Sequence, residues 1–352
     1  HERFRTASAP FDGYWIDLAT ARTETYVHAG ALPEVTPAHI EADLARRDFT
    51  VNALALTLAG EARLLDAHGG AADIAAKLIR VLHARSFEDD ATRIFRAHRY
   101  ASRLGFGIEA ATHRMLRDDA RHLAKISGER LRREFELILS EAQSSAALAA
   151  LDGDGALAAV HPGLRWDHAV GDALAAVDAA DIDREAAGFA LLAASASADE
   201  ADAIIERLRL TREQAAAVRG IVALRGAEAM LTRAEAKPSG VVVLLDRYPL
   251  AAVAAFAAAA ASPISRTLAE RYLAEWRHER PILRGDELQA MGVPAGPQVA
   301  RGLALIRAAR LDGWATDRGD EQALVLRFAK SIRDSSAMHG RIDLDLDGFS
   351  RN

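Results

Sequence analysis

The sequence contains no cysteine, which excludes disulfide bonds and thiolate-held metals and is compatible with a reducing compartment such as the cytoplasm. It also lacks a long apolar run. The longest, Leu250 to Ala261, is dominated by alanine and falls short of the roughly 20 residues that cross a bilayer, so a buried helix is expected there and no membrane partner. Twelve histidines include no H-x-x-x-H pair, which argues against a helical zinc site. No serine stands in a G-x-S-x-G context, which argues against a hydrolase of that type. What is present is 50% hydrophobic residues over 352 positions, enough for sizeable cores and two or three domains.

Charge is unevenly spread. The formal net charge is −6, yet residues 77–133 hold 14 Lys or Arg against 7 Asp or Glu, a surplus of +7 that leaves −13 for the remainder. Positive potential concentrated in this way suits a triphosphate or an RNA backbone. At Asp43 to Leu56 the sequence reads D-L-A-R-R-D-F-T-V-N-A-L-A-L. Arg46 and Arg47 offer planar forks for phosphate oxygens, and Asp48 and Asn52, four apart, share a face if the segment is helical, where they could grip a sugar hydroxyl. Taken alone, the segment fits better an ordinary solvated helix start with its arginines in an ion pair.

Residues 87–106 read F-E-D-D-A-T-R-I-F-R-A-H-R-Y-A-S-R-L-G-F. At about 100° per residue, Arg93, Arg96, Arg99 and Arg103 fall in one sector and Ile94, Ala97, Ala101 and Leu104 in another, so a helix with one cationic and one core face is expected. Asp90 and Arg93, three apart at its start, combine a hydrogen-bond acceptor with a guanidinium donor and could read the edge of a base; an ordinary surface ion pair is the alternative. His98, on the same helix, is expected to be a packed side chain.

Together these segments resemble the family of class II tRNA nucleotidyltransferases (CCA-, CC- and A-adding enzymes) and bacterial poly(A) polymerases. R-R-D-F-T-V-N-A-L-A, Arg46 to Ala55, is similar to that family's ribose motif, and L-D-A-H-G-G, with Asp66, Gly69 and Gly70, to its flexible joint. D-D-A-T-R, Asp89 to Arg93, is similar to its base-reading E-D-x-x-R, with Asp89 where glutamate is usual. I-S-G-E-R-L-R-R-E, Ile126 to Glu134, resembles the segment supporting the nucleotide helix, with Glu129 and Arg130 in supporting roles. The resemblance implies that Asp48 and Asn52 lie near the ribose, Arg47 near the triphosphate with Arg46 in support, and Asp90 and Arg93 at the base, with Arg96 and Arg99 reaching phosphates. It further implies an enzyme that extends an RNA 3′ end, above all that of tRNA, with ATP and CTP and two Mg²⁺ ions; no DNA partner is expected. Arg93→Ala is expected to weaken base discrimination while leaving folding intact. The alternatives are a poly(A) polymerase acting on other RNA and a noncatalytic helical RNA-binding module.

The family's G-G-x-V-R-D segment and following D-x-D pair do not occur before Arg46. Spaced acids at Asp152, Asp181 and from Asp343 onward lie too far downstream to replace them, and D-L-D-L-D-G at Asp343 to Gly348 lacks the rest of a calcium loop. W-I-D-L-A-T-A-R-T-E, Trp15 to Glu24, resembles the strand after the missing pair, so the chain is expected to be N-terminally truncated, with Asp17 in the place of a third catalytic and metal-binding carboxylate. One aspartate cannot hold two hard cations, so these residues alone are expected to bind nucleotide weakly or not at all and to be inactive.

The expected class is α+β: a partial catalytic sheet domain over residues 1–60, a helical neck over 61–140, a helical RNA-binding body over 141–280 and a helical tail over 281–352. Strand character at Trp15 to Ala21 and a loop at Ala31 to Val35, interrupted by Pro33, mark the first, whose unpaired strand edges are expected to favour association. Helical periodicity at Ala201 to Arg219 and Ser265 to Arg277 marks the later parts; Pro281 and G-V-P-A-G-P (Gly292 to Pro297) suggest the last boundary, and L-D-G-W at Leu311 to Trp314 a helix end.

Overall fold

A computed structural model describes residues 6–25, 34–177, 181–232 and 237–337. The class is α+β, with small strand pairs confined to the N-terminal third. The chain forms two units, His1–Arg225 with Pro249–Ala259, and Gly226–Tyr248 with Ala260–Asn352, so the division differs from boundaries near residues 60, 140 and 281. The acidic segment after Asp343 lies outside the described residues, as do residues 31–33 of the expected loop.

In the first unit, β1 (Thr6–Phe11) and β2 (Tyr14–Ala19) form an antiparallel hairpin whose tight turn uses Asp12 and Gly13 at positive φ. The strand expected around Trp15 is therefore present, and Phe11, Tyr14, Trp15 and Leu18 are all well exposed on it. A second pair, β3 (Arg22–Thr25) with β4 (Glu34–Pro37), precedes α1 (Ile40–Ala45). Asp48 lies in a bend rather than a helix, followed by a single 3-10 turn at Thr50–Asn52.

Three short strands and two helices then lead to the arginine-rich helix α4. β5 (Ala55–Leu56) pairs with β6 (Leu64–Leu65), and α2 (Gly70–Ala76) leads into β7 (Leu78–Ile79). After α3 (Ser86–Asp89) comes α4 (Arg93–Leu104), then β8 (Gly107–Ile108), which lies parallel to β7, and α5 (Ala110–Asp119). α6 (Gly128–Leu139) and α7 (Ser144–Gly153) complete the neighbourhood.

Buried aromatic rings orient the two helices that matter most. Phe95 of α4 meets Phe135 of α6 edge-on at 4.9 Å between ring centres, and Phe135 meets Phe189 of helix Arg184–Leu192 at 5.8 Å. With Ile94, Phe95 and Ala97 committed to this core on α4 and Leu131, Phe135 and Ile138 on α6, the intervening residues Arg93, Arg96, Arg130 and Glu134 share the remaining faces. The two-sector expectation for α4 needs amendment. Leu104 is exposed, whereas Arg93 and Arg99 are each only 7% exposed, because Ser86 and the Arg46 carbonyl receive Arg93 and Glu141 receives Arg99 where water was expected to cover them.

The apolar run at Leu250–Ala259 is a helix buried throughout its centre, as its composition led us to expect. The periodic stretch from Ala201 to Arg219 is not one helix: it breaks at Arg209, which adopts φ +50°, into Ala198–Leu208 and Arg212–Leu231.

In the second unit, Leu283, Leu288, Val293, Ile306, Val325 and Phe328 form one core. The Pro281 and Gly292–Pro297 segments both lie in this unit, beside that core. Fully buried Glu321 fixes the first of them by accepting the backbone N–H groups of Ile282 (2.9 Å) and Leu283 (2.8 Å). Helix Pro297–Leu311 ends just before Gly313 at φ +77°, where L-D-G-W placed the stop.

Candidate nucleotide-binding site

A cleft of about 660 Å³ opens between the Arg46–Asn52 segment, the α3–α4 junction and α6. It is lined by Arg46, Arg47, Asp48, Asn52, Asp90, Thr92, Arg93, Arg96, Tyr100, Arg130, Arg133 and Glu134, so six arginines face three acids. Its size is that of a site for one small ligand, and its charge suits a polyanion.

The ribose-motif residues are held from below. Thr50 Oγ1 donates to Asp73 (2.6 Å), Arg80 Nε donates to the same carboxylate (3.0 Å), and Arg80 also pairs with Glu109 (3.5 Å) at the start of α5. Asp66 accepts the N–H groups of Gly70 (2.7 Å) and Ala71 (3.0 Å), and these bonds, that from Ala71 foremost, hold its carboxyl below the ordinary range. Gly69 turns the chain at φ +74°, and Gly70 lies so close to Thr50 that a Cβ there would sit 2.3 Å from its carbonyl oxygen. The joint and the ribose motif are therefore one packed unit.

Asp48 and Asn52 do meet, although no α-helix joins them. Asp48 Oδ1 accepts from Asn52 Nδ2 (3.0 Å) and from the Phe49 N–H (2.9 Å), while Oδ2 accepts from Arg96 Nε (2.8 Å) and is ion-paired with Arg96 Nη2 at 2.6 Å. Phe49, wholly buried and edge-on to Tyr100 at 5.9 Å, anchors the bend. Burial opposes the charge on Arg96, but the adjacent Asp48, with Tyr100 and Glu134, more than restores it, so Arg96 stays protonated.

Arg46 and Arg47 both pair with Asp43, at 2.6 and 2.9 Å. Burial pushes the Asp43 carboxyl up, and the bonds from Arg46, Arg47 and the Arg22 N–H outweigh it, leaving it below the ordinary carboxylate range. The ion-pair reading of these arginines is thus present, and both still line the cleft.

Asp90 is not one helical turn from Arg93. It is the extended residue between α3 and α4 (φ −146°), where its Oδ1 accepts the N–H (3.0 Å) and hydroxyl (2.8 Å) of Thr92 and Arg130 Nη2 (2.8 Å). A local side-chain bond to the backbone two residues on competes with helix and breaks it here. Arg93 donates to Ser86 Oγ (2.6 Å) and to the Arg46 carbonyl (2.9 Å), so removing it would strip buried acceptors and cost stability as well as recognition. Arg93→Ala is therefore not neutral for folding.

Other expected residues lie elsewhere. Arg99 does not line the cleft; its Nη1 donates to Glu141 at 3.0 Å and its guanidinium lies over Tyr100 at 4.8 Å. Asp89 sits 3.8 Å from His83 and 3.9 Å from Arg85, also outside the cleft. Glu129 is exposed, whereas Arg130 reaches Asp90. His98 is buried against Asp154 (3.2 Å) on the opposite face of α4. Sequence reasoning missed Thr92, Tyr100, Arg133 and Glu134; the last closes the quoted motif at Ile126 to Glu134, and its spacing of four from Arg130 could have placed both on one face.

Asp17 lies on β2, exposed, accepting a 2.5 Å bond from Ser8 Oγ. Among the described residues no group of three or more His, Asp or Glu side chains is placed to hold a metal ion. The donor set therefore does not fit a two-cation centre, and no step below runs through Mg²⁺.

Comparison with known proteins gives the family. A family model described as the poly A polymerase head domain matches residues 1–80, and one described as a probable RNA and SrmB-binding site of polymerase A matches residues 105–167. A CC-adding tRNA nucleotidyltransferase of Deinococcus radiodurans is 34% identical over 336 residues, covering 93% of this chain and 76% of that protein. The chain belongs to the tRNA nucleotidyltransferase and poly(A) polymerase family. An A-adding tRNA nucleotidyltransferase of Geobacter sulfurreducens is 31% identical over 94% of the chain, which spans only 40% of that relative's length. Among solved structures, a CCA-adding enzyme in an apo form superposes with a TM-score of 0.79 (27% identity, 93% of this chain and 80% of that one). A CCA-adding enzyme in complex with ATP gives 0.75 (25% identity, 97% and 80%). No single helix among the described residues is long and apolar enough to cross a membrane.

Proposed function

We propose that this chain selects the incoming nucleotide in template-independent extension of a tRNA 3′ end by C or A, in the cytoplasm, with CTP and ATP as the nucleotides. The observation that carries the reading is the convergence of Asp48, Asn52, Asp90 and Arg93 in one arginine-lined cleft. Cytosine and adenine both present an exocyclic amine beside a ring acceptor, and a carboxylate next to a guanidinium supplies the matching acceptor and donors. Asp90 and Arg93 are held in place by Thr92, Arg130, Ser86 and the Arg46 carbonyl, so little side-chain freedom is lost when a base arrives. The surplus of arginine draws the triphosphate in, and Asp48 with Asn52 receives the ribose.

The test offers a protein carrying this chain tRNAs that end before CCA, after the first C and after CC, with each of the four nucleotides singly. Joining of C or A at the matching stage, with U and G rejected, is expected; equal use of U or G would sink the proposed base reading. A second reading, a noncatalytic RNA-binding module, draws on the lack of a converged carboxylate set among the described residues. It predicts tRNA binding with no incorporation and no effect of CTP or ATP.

A further inference from the structure

Asp48, Arg96 and Glu134 line one cleft, and of the two carboxylates Asp48 is engaged by the guanidinium while a buried oxygen of Glu134 has no partner. A carboxylate offers about four lone-pair sites. Asp48 spends three on hydrogen bonds from Phe49, Asn52 and Arg96 Nε, and Arg96 Nη2 lies 2.6 Å from the same Oδ2, so the guanidinium occupies the side on which a sugar hydroxyl would bind. Glu134, on α6 and 9% exposed, lines the same cleft, and its buried Oε2 accepts no hydrogen bond. An orphaned buried carboxyl oxygen is costly, and a partner that arrives in another state is one reason for a fold to keep it. After its desolvation, the strongest influence on Glu134 is the charge of Arg96.

We propose that Glu134 is the receiving partner of Arg96: when a nucleotide enters, the Arg96 guanidinium passes from Asp48 Oδ2 to Glu134 Oε2, and the freed Asp48 oxygen accepts the ribose hydroxyl. Glu134 is thus a positioning residue, acting through Arg96 and not on the nucleotide. This rests on the reading that Asp48 meets the ribose. The groups facing Glu134 are Arg96 and Arg99 of α4, Arg130 of its own helix and Asp90 at the α3–α4 junction. Burial foremost, with a smaller push from Asp90, raises its carboxyl above the ordinary glutamate value against the pull of the three arginines. Glu134 therefore keeps its proton to a higher pH than an ordinary glutamate, and as a neutral acid it is a poor receiver for a guanidinium.

The experiment measures binding of CTP and ATP, and of their 2′-deoxy and 3′-deoxy analogues, to the wild-type protein, Glu134→Gln and Glu134→Asp across a pH series, with thermal melting as the control for folding. In the wild type the preference for ribonucleotide over at least one deoxy analogue is expected to rise with pH as Glu134 ionises. Glu134→Gln should bind the ribonucleotide about tenfold more weakly, leave that analogue unchanged and show no such pH dependence; Glu134→Asp should restore part of both. A ribonucleotide preference that survives Glu134→Gln at every pH overturns the relay while leaving nucleotide recognition standing. Equal loss for ribo- and deoxynucleotides alongside a lowered melting temperature marks Glu134 as merely structural and overturns it too. A wild type that binds no nucleotide removes the functional reading itself, and the relay with it.

Discussion

Replacing Gly70 by alanine should damage nucleotide recognition from a position that touches no nucleotide. A Cβ at Gly70 would lie 2.3 Å from the Thr50 carbonyl oxygen and 2.9 Å from Leu54 Cδ1. Ordinary carbon–oxygen contact is about 3.3 Å, so the backbone must give way by roughly 1 Å. It cannot do so freely, because Thr50 is tied to Asp73 through its hydroxyl and to the Arg80 carbonyl through its N–H (2.9 Å). Overpacking of this kind costs about 1–3 kcal/mol, or about 2–4 °C of melting temperature per kcal/mol for a unit of this size. The displaced turn carries Asn52, whose amide bonds Asp48, so CTP and ATP binding should weaken along with stability. Gly69→Ala is the control: φ is +74° but nothing lies within 4 Å of a Cβ, so it should cost about 1–2 kcal/mol of backbone strain without altering nucleotide affinity. Denaturant titration and nucleotide binding on both variants decide the matter. If Gly70→Ala kept wild-type affinity and stability, the coupling of joint to ribose site would be refuted.

Two further outcomes are expected. Arg99→Ala should leave base choice in primer extension intact while lowering the unfolding free energy by about 1.5–3 kcal/mol, since it strips a charged hydrogen bond from Glu141; altered choice between C, A, U and G would place Arg99 at the nucleotide after all. Trp15→Ser with Tyr14→Ser should reduce concentration-dependent light scattering, because both rings stand more than 70% exposed on a hairpin edge, and unchanged scattering would count against that edge as the source of association.

Recognition motifs were legible because each is a short string whose chemistry depends on residue type and order. R-R-D-F-T-V-N, L-D-A-H-G-G, D-D-A-T-R and I-S-G-E-R-L-R-R-E pointed to one site, and all but Asp89, Arg99, Glu129, Asp17 and the joint residues among the named candidates line one cleft. Composition also gave the buried helix at Leu250–Ala259, and the glycine of L-D-G-W the helix end before Gly313. Periodicity failed where a local side chain captured the backbone, as at Asp90, and where a residue in left-handed conformation split a continuous pattern, as at Arg209.

Sequence alone supplied the candidates for meeting a sugar, a base and a phosphate, since hydrogen-bonding and charge capacity reside in the side chain itself. Only the tertiary structure decided which of them are already engaged and with whom. Arg96 meets Asp48 across 48 positions and Arg130 meets Asp90 across 40, and Arg99 turns instead to Glu141, 42 positions on. A helical repeat reports the face a residue shares with its near neighbours, but the element packed opposite is chosen by the core. Here that choice was made by Phe95, Phe135 and Phe189, whose burial sets α4 and α6 so that Arg96, paired with Asp48, lines the same cleft as Glu134 with its unpartnered oxygen.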